Sequence, residues 1–159
     1  MDLALQYDKL LRYCYMKTKD RYMAEDIVQE AFLKFWQSRT YEDTGKEMAY
    51  LYAIARNLCT DEFRKPRTED IEDFPELPDS GAGDEQQIVD RLAVEQALDT
   101  LPEELREAVV LRYMNGLSAA DIGVITGMSR FAATRRIKEG VRLLKNIMEG
   151  EAGNDGQTD

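Results

Sequence analysis

Hydrophobic residues recur three or four positions apart along most of the chain, which is the spacing of one face of an α-helix. Before residue 66 this pattern predicts three helices. Their inward-facing residues are Leu3, Tyr7, Leu10, Leu11, Cys14 and Tyr15; then Ile27, Val28, Ala31, Phe32, Phe35 and Trp36; then Tyr50, Leu51, Ile54, Ala55, Leu58 and Cys59. Three helices with short connections predict a compact helical bundle.

The helical pattern stops between Pro66 and Asp84. This stretch holds three of the four prolines and many acidic residues, with too few apolar side chains to form a core. We therefore predict an acidic flexible linker at 66–86 that joins a first domain at 1–65 to a second domain at 87–148. A polar, glycine-rich tail at 149–159 is expected to be disordered.

The second domain contains the helix start and stop signals of a helix-turn-helix. Ser118, with Asp121 three residues later, has the spacing of a capping box for a short helix that ends at Thr126. Gly127 suits a left-handed turn, and Ser129 can cap a long last helix rich in arginine and lysine. The fold class predicted is thus all-α, with two small helical domains and a helix-turn-helix in the second.

The distribution of charge changes the first impression of an acidic protein. The formal net charge of −10 argues against a nucleic-acid partner, because phosphate affinity comes from basic side chains. However, the acids concentrate in the predicted linker and tail. In the last helix a single acid, Glu139, accompanies six basic residues: Arg130, Arg135, Arg136, Lys138, Arg142 and Lys145. Such a basic stripe is typical of a surface that contacts DNA phosphates.

The helix-turn-helix pattern assigns candidate DNA contacts. Side chains early in the second helix approach base edges, and those further along hold phosphates. The candidate base contacts are Arg130, Phe131, Thr134 and Arg135, and the candidate phosphate contacts are Arg136, Lys138 and Arg142. The alternative is a helical hairpin whose basic face is merely solvated.

Two polar groups in the first domain also invite a functional interpretation. Asp26, Gln29 and Glu30 share one exposed helix face, which is either a solvated surface or a docking surface for a basic partner. The third helix presents an aromatic ring with amide, hydroxyl and basic groups that suit single-stranded nucleic acid, or that are scattered surface residues. They are Tyr52, Arg56, Asn57, Thr60, Arg64 and Lys65.

Several classes of function are disfavoured. The sequence contains no histidine, which removes the commonest general base and the usual zinc ligand, so we predict no catalytic residues, no metal site and no cofactor. Cys14 and Cys59 lack the spacing of a redox or zinc motif and are expected to be buried, reduced thiols. The sequence shows neither an apolar run of membrane-spanning length nor a secretion signal, which predicts a cytoplasmic protein without membrane insertion.

The chain contains three characteristic segments in this order: Ala24–Trp36, Ala49–Arg64 and Leu101–Ser118. These segments resemble the extracytoplasmic-function group of sigma-70 factors, and the resemblance spans about residues 3–148. It implies a promoter-melting domain, a linker and a domain that recognises the minus-thirty-five element. The implied partners are core RNA polymerase, promoter DNA and an anti-sigma factor.

The resemblance also implies roles for particular residues. Asp26, Gln29 and Glu30 correspond to the patch that docks on the clamp helices of the polymerase's largest subunit. The loop 38–46 and the third helix, with Arg56, Asn57, Asp61 and Arg64, resemble the part that captures a flipped base of the minus-ten element. The chemistry of transcription would then belong to the polymerase, and this chain would not be an enzyme.

The sequence departs from the family pattern at three places. Tyr50 stands where tryptophan is common, Gly123 where alanine is usual, and Phe131-Ala132-Ala133 where a Gly-Thr-Val type of run is expected. The recognition rule for the upstream element therefore cannot be transferred from the family. Two alternatives to a sigma factor also remain. One is a sigma-like mimic that binds an anti-sigma factor without engaging promoters, and the other is a helix-turn-helix regulator that binds duplex DNA alone.

Overall fold

The computed structural model describes residues 3–38, 46–64 and 85–153, and these ranges form helices and turns without a β-strand. The helices are α1 (Leu3–Thr18), α2 (Arg21–Gln37), α3 (Glu47–Arg64), α4 (Glu85–Asp99), α5 (Glu103–Val109), α6 (Ala119–Thr126) and α7 (Arg130–Gly153), and α5 continues as one π-helical segment, Val110–Met114. The predicted all-α fold is confirmed. No helix within these ranges is long and apolar enough to cross a membrane.

Some predictions fall outside the described residues. These are residues 66–84 of the predicted linker, most of the loop 38–46, Lys65 and the last residues of the tail. At their borders, α4 begins at Glu85, inside the predicted linker, and α7 continues to Gly153, inside the predicted tail.

Helices α1, α2 and α3 pack into the predicted bundle. Leu10 and Cys14 of α1 meet the buried face of α2, and most of the inward stripes of both helices are confirmed. Trp36 is the exception, because it lies at the end of α2 with 43% of its surface exposed and an edge-on contact with the Phe35 ring.

The prediction for α3 is wrong at two neighbouring tyrosines. Tyr50 was expected inside but is 46% exposed, and its hydroxyl donates to Ser38 Oγ at 2.9 Å. Tyr52 was expected on the surface but is fully buried, with its ring 5.6 Å from that of Tyr13. Tyr52 is buried because α3 is covered on two sides, by α1 and α2 and also by the second domain. The prediction assumed that α3 has one buried face, so it did not include the face that packs against the second domain.

The predicted helix-turn-helix is present, and its signals act as expected. Ser118 Oγ accepts from the Asp121 amide at 3.1 Å, and Ser129 Oγ accepts from the Ala132 amide at 3.0 Å. Gly127 adopts the left-handed conformation with φ of 80°, which costs glycine little. Ala133 and Ile137 then fix the inner side of α7 against the domain core.

Gly123 is required by the close approach of the turn to α6. A Cβ atom placed on it would lie 2.6 Å from the Met128 carbonyl oxygen, and the Met128 amide donates to the Gly123 carbonyl at 2.8 Å. Because the obstacle is backbone, a side chain there forces the turn itself to move. This explains why the position departs from the alanine that the family resemblance leads one to expect.

We predict that Gly123→Ala destabilises the protein, although alanine is the better helix former. Overpacking of this kind costs about 1 to 3 kcal/mol, which should exceed the gain in helix propensity. Urea unfolding followed by circular dichroism measures the difference. Val124→Ala is the matched control, because Val124 lies next in α6 and is 56% exposed. A Gly123→Ala protein at least as stable as the native one would contradict the close-packing account.

The second domain packs directly on the first. Ala108, Leu111 and Ile122 belong to the same buried cluster as the core of the first domain, and α6 lies against α3. Asn115, just after the π-helical segment, donates from Nδ2 to the Lys9 carbonyl at 3.0 Å and to Tyr52 Oη at 2.6 Å. We call this packing the closed arrangement.

Candidate nucleic-acid interface

Helix α7 presents one basic face to solvent. Phe131, Arg135, Lys138 and Arg142 recur at spacings of three or four residues, so they lie on one side of the helix, and all four are exposed. We call these four residues the basic face. The chain's predicted duplex-DNA contacts are thus largely brought together, on the second helix of a helix-turn-helix.

The start of the basic face is organised by Phe131. Its side chain is 67% exposed, and the Arg130 guanidinium lies 5.1 Å from the ring centroid, within cation–π range. Thr134 is half-buried, and its hydroxyl donates to the Arg130 carbonyl at 3.0 Å. Arg130 and Phe131 therefore form an adjoining pair at the N-terminal end of α7, where base contacts are expected.

One basic-face cation already has an acidic neighbour. Arg142 donates from Nη2 and Nε to the two carboxylate oxygens of Glu139 at 2.6 and 3.1 Å. These hydrogen bonds lower the pKa of Glu139 and raise that of Arg142. Both side chains are well exposed, so a phosphate could replace the carboxylate at small cost.

The structure separates Arg136 from the other predicted DNA contacts. It lies on another side of α7, half-buried, with Nη2 3.9 Å from Glu104 Oε1 of α5. A helical position one residue after Arg135 is turned by about 100°, which the sequence-level grouping of basic residues did not take into account.

Helix α2 displays the second predicted surface. Asp26, Gln29 and Glu30 are all exposed on its outer side, and we call them the docking patch. Sequence analysis missed Leu33, which lies one turn beyond Gln29 and is 58% exposed. The sequence did contain a signal for Leu33. It lies four positions after Gln29 and three after Glu30, so helical spacing places an apolar side chain on the same polar face.

The predicted single-strand contacts of α3 divide into two groups. Asn57 and Asp61 are exposed, whereas Arg56 is half-buried and Tyr52 is wholly buried under the second domain. The prediction that Tyr52 offers its ring at the surface is wrong in the closed arrangement. The side chain of Arg64 and all of Lys65 lie outside the described residues.

Arg56 takes part in a buried charged cluster that joins the two domains. Glu107 of α5 has only 3% of its side chain exposed. Its Oε2 accepts from Arg56 Nε at 2.7 Å and from the Tyr13 hydroxyl at 2.5 Å, with Lys17 Nζ at 3.4 Å. Its Oε1 accepts from Arg56 Nη2 at 3.2 Å, so the guanidinium binds both oxygens. We call these four residues the Glu107 cluster.

The electrostatics of the cluster keep Glu107 ionised. Burial alone would raise the pKa of Glu107, but the hydrogen bond from Arg56 and the charge of Lys17 outweigh burial and lower it. Burial and the charge of Glu107 raise the pKa of Tyr13 well above its usual value, so the phenol keeps its proton and donates it. The cluster is therefore a carboxylate held by two cations and a neutral phenol.

Sequence analysis missed Tyr13, Lys17 and Glu107. The partners are separated by 51 to 94 positions, so local spacing could not pair them. One signal existed: Glu107 stands beside the apolar run Ala108–Leu111, where an acid is expected to be buried with a partner.

The two cysteines behave as predicted. Cys14 and Cys59 are both free and fully buried. The hydrogen bond with Cys59 and then burial raise the pKa of the Cys14 thiol well above its usual value. A protonated thiol is a poor nucleophile, so the pair has the character of core residues.

Comparison with known families matches both domains in order. The family model for Sigma-70 region 2 matches residues 4–69, and that for Sigma-70, region 4 matches residues 91–144. Among curated proteins, the chain is 33% identical to the ECF RNA polymerase sigma factor SigL of Mycobacterium tuberculosis, covering 88% of this chain and 82% of the relative. It is 28% identical to SigW of Bacillus subtilis, covering 87% and 82%.

A solved structure with a similar fold is the sigma factor RpoE in complex with the anti-sigma factor NepR from Bartonella quintana. The match has a TM-score of 0.70 at 23% sequence identity and covers 93% of this chain and 94% of that one. The likeness therefore extends over both helical domains and not over the helix-turn-helix alone.

Proposed function

This chain belongs to the extracytoplasmic-function group of sigma-70 RNA polymerase sigma factors, and from that premise we propose that it binds core RNA polymerase and directs promoter-specific initiation, with opening of the DNA strands. The observation that carries the proposal is the ordered match to region 2 and region 4 in one chain. A protein that only binds duplex DNA has no need of the first of these domains.

The surfaces of the structure suggest how the work is divided. We propose that the docking patch on α2, extended by Leu33, binds the clamp helices of the polymerase. The basic face of α7, with Arg130 and Thr134, would bind the minus-thirty-five element in the major groove. On α3, Arg56, Asn57, Asp61 and Arg64, with Lys65, would hold the separated strand of the minus-ten element, where a flipped base requires polar and stacking partners.

The remaining predictions follow from this role. The polymerase would supply the metal-dependent chemistry, so the chain itself needs no catalytic residue or cofactor. Because promoters and polymerase are cytoplasmic, we propose the same location for this protein. An anti-sigma factor is a further proposed partner, supported by the similar sigma factor whose structure was solved with one bound.

Two other functions remain as alternatives. A sigma-like mimic would bind an anti-sigma factor and leave promoters alone, but the exposed basic face speaks against it. A regulator that binds duplex DNA without polymerase would use the second domain only, which leaves the docking patch and α3 without a purpose.

Binding measurements with and without core polymerase separate the three functions. We expect weak, salt-sensitive DNA binding by the isolated chain and tight, sequence-specific binding only after core polymerase is added. Equal sequence-specific binding in both conditions would identify a conventional regulator. Tight association with an anti-sigma factor, but no association with core polymerase, would identify the mimic.

A further inference from the structure

The Glu107 cluster lies where a proposed DNA contact and an interdomain contact coincide. Arg56 belongs to the α3 set assigned above to the separated promoter strand, yet its guanidinium binds Glu107 of the second domain through two hydrogen bonds. Guanidinium recognises carboxylate and phosphate with the same two-pronged geometry. A single side chain therefore cannot serve Glu107 and a phosphate at once.

Two other donors of the first domain point at the same position. Lys17 Nζ and the Tyr13 hydroxyl both lie on α1, within hydrogen-bonding distance of Glu107 Oε2. Lys17 Nζ also donates to Oε2 of Glu103, on the same helix as Glu107, at 3.1 Å. The Lys17 side chain is only 6% exposed and that of Glu107 only 3%, so the donors are shielded from water in the closed arrangement. When the second domain moves away and takes Glu103 and Glu107 with it, the first domain would retain two cations and a phenol around one position.

We propose that Tyr13, Lys17 and Arg56 form an anion site, that the Glu107 carboxylate fills it in the closed arrangement, and that a backbone phosphate of single-stranded promoter DNA fills it when the domains separate. The inference rests on the proposed function, because it assumes that α3 contacts the separated strand. Its consequence is that domain closure and strand binding exclude one another.

The burial of Tyr52 by the second domain also supports competition between domain closure and strand binding. Asn115 of the second domain donates to Tyr52 Oη, and Tyr52 is fully buried beside Tyr13. A second member of the predicted strand-binding set is therefore hidden by the closed arrangement, through contacts that do not involve Glu107. Separation of the domains would expose Tyr52 and Arg56 together.

The test compares the full-length native chain with Glu107→Gln. Binding of a short, fluorescein-labelled, random-sequence single-stranded DNA is measured by anisotropy, and the spread of the domains by small-angle X-ray scattering. If about one tenth of the native molecules are open, release of the contact tightens DNA binding by up to about tenfold. We therefore expect Glu107→Gln to bind the DNA roughly tenfold more tightly, with a larger radius of gyration.

Glu104→Gln is the matched control. The substitution removes the same charge from the same helix. Glu104 is 72% exposed, and its ion pair is with Arg136 and not with a residue of the Glu107 cluster. We expect DNA binding and radius of gyration close to those of the native chain. An equal gain in both variants would show that general charge repulsion, and not release of the site, limits DNA binding, and would overturn the proposal.

Asn115→Ala tests the competition without altering any residue of the anion site, and it serves if Glu107→Gln folds poorly. It removes the contacts with Tyr52 and Lys9, so it should also open the protein and tighten DNA binding. A larger radius of gyration without tighter DNA binding would overturn the proposal. So would Arg56→Ala, in the Asn115→Ala background, if it left the gained affinity intact.

Inorganic phosphate at matched ionic strength distinguishes a strand phosphate from the free ion. Opening of the native chain by phosphate alone would reject DNA as the ligand, whereas opening by the oligonucleotide but not by phosphate supports it. None of these measurements uses polymerase. A failure of the sigma function, which is an absence of transcripts with core polymerase, is therefore recorded separately from a failure of the anion site.

Discussion

Arg135→Ala is expected to reduce promoter-specific transcription by roughly 5- to 150-fold, on a promoter that the native protein transcribes. Arg135 is exposed at the centre of the basic face, one turn from Phe131, where the second helix of a helix-turn-helix meets base edges. A lost guanidinium contact with a guanine costs about 1 to 3 kcal/mol, which gives the stated range. Run-off transcription at limiting protein concentration measures the loss.

Arg136→Ala provides the comparison for this prediction. It removes the same charge from the next position of α7, but Arg136 lies on another side of the helix, near Glu104. We expect a much smaller loss of transcription than for Arg135→Ala. If the two variants lose equally, or Arg136→Ala loses more, then α7 does not approach DNA with the basic face as described.

The pattern of sequence dependence adds a second check on Arg135. A base contact should make Arg135→Ala tolerant of changes at one base pair of the minus-thirty-five element. A phosphate contact would instead weaken binding on all sequences alike and reduce the salt slope by about 1. Titration of promoter variants with holoenzyme that contains either the native protein or Arg135→Ala distinguishes a base contact from a phosphate contact.

The double substitution Gln29→Ala with Glu30→Ala is expected to weaken binding to core polymerase by roughly 30-fold or more. Both side chains are exposed on one face of α2 beside Leu33, so they can enter an interface together. Interface residues at such a centre cost about 2 kcal/mol or more when truncated. Fluorescence titration of labelled protein with core polymerase measures the change.

Glu95→Ala with Gln96→Ala is the matched control for the docking patch. The pair has the same residue types and the same loss of charge, and both side chains are exposed on α4 in the second domain. We expect native affinity for core polymerase. Equal weakening by both double variants would show that net charge, and not the docking patch, governs association.

Local patterns in the sequence were sufficient for much of the fold. The caps at Ser118 and Ser129 and the left-handed Gly127 each act through neighbours within a few residues, so spacing alone predicts them. The same holds for the basic face, because its four residues repeat with the helical period. Gly123 stands out in the sequence as a departure from the alanine of the family pattern, and the structure shows that it approaches the backbone of the turn.

Long-range contacts account for what the sequence did not predict. The burial of Tyr52 depends on the second domain covering α3, and periodicity contains no information on which domain covers which helix. Glu107 meets Tyr13, Lys17 and Arg56 only through the packing of the domains. Arg136 was grouped with the other basic residues because they are close in sequence. The direction of its side chain around the axis of α7 decides what it contacts, and that direction is toward Glu104.

The closed arrangement connects the fold with the proposed function. It buries apolar residues of both domains in one cluster and pairs charged groups at their junction. A sigma factor that contacts two promoter elements must present both domains to DNA at once. If closure and strand binding exclude one another as proposed, polymerase binding would have to favour separation of the domains.

Run-off transcription on a pool of genomic promoter fragments, with and without the protein, shows whether this chain gives core polymerase its promoter specificity. We expect discrete new transcripts that require both core polymerase and the chain, and that share a sequence element upstream of their start points. Tight binding to core polymerase without any new transcript, or no binding to core polymerase at all, would contradict the proposed function.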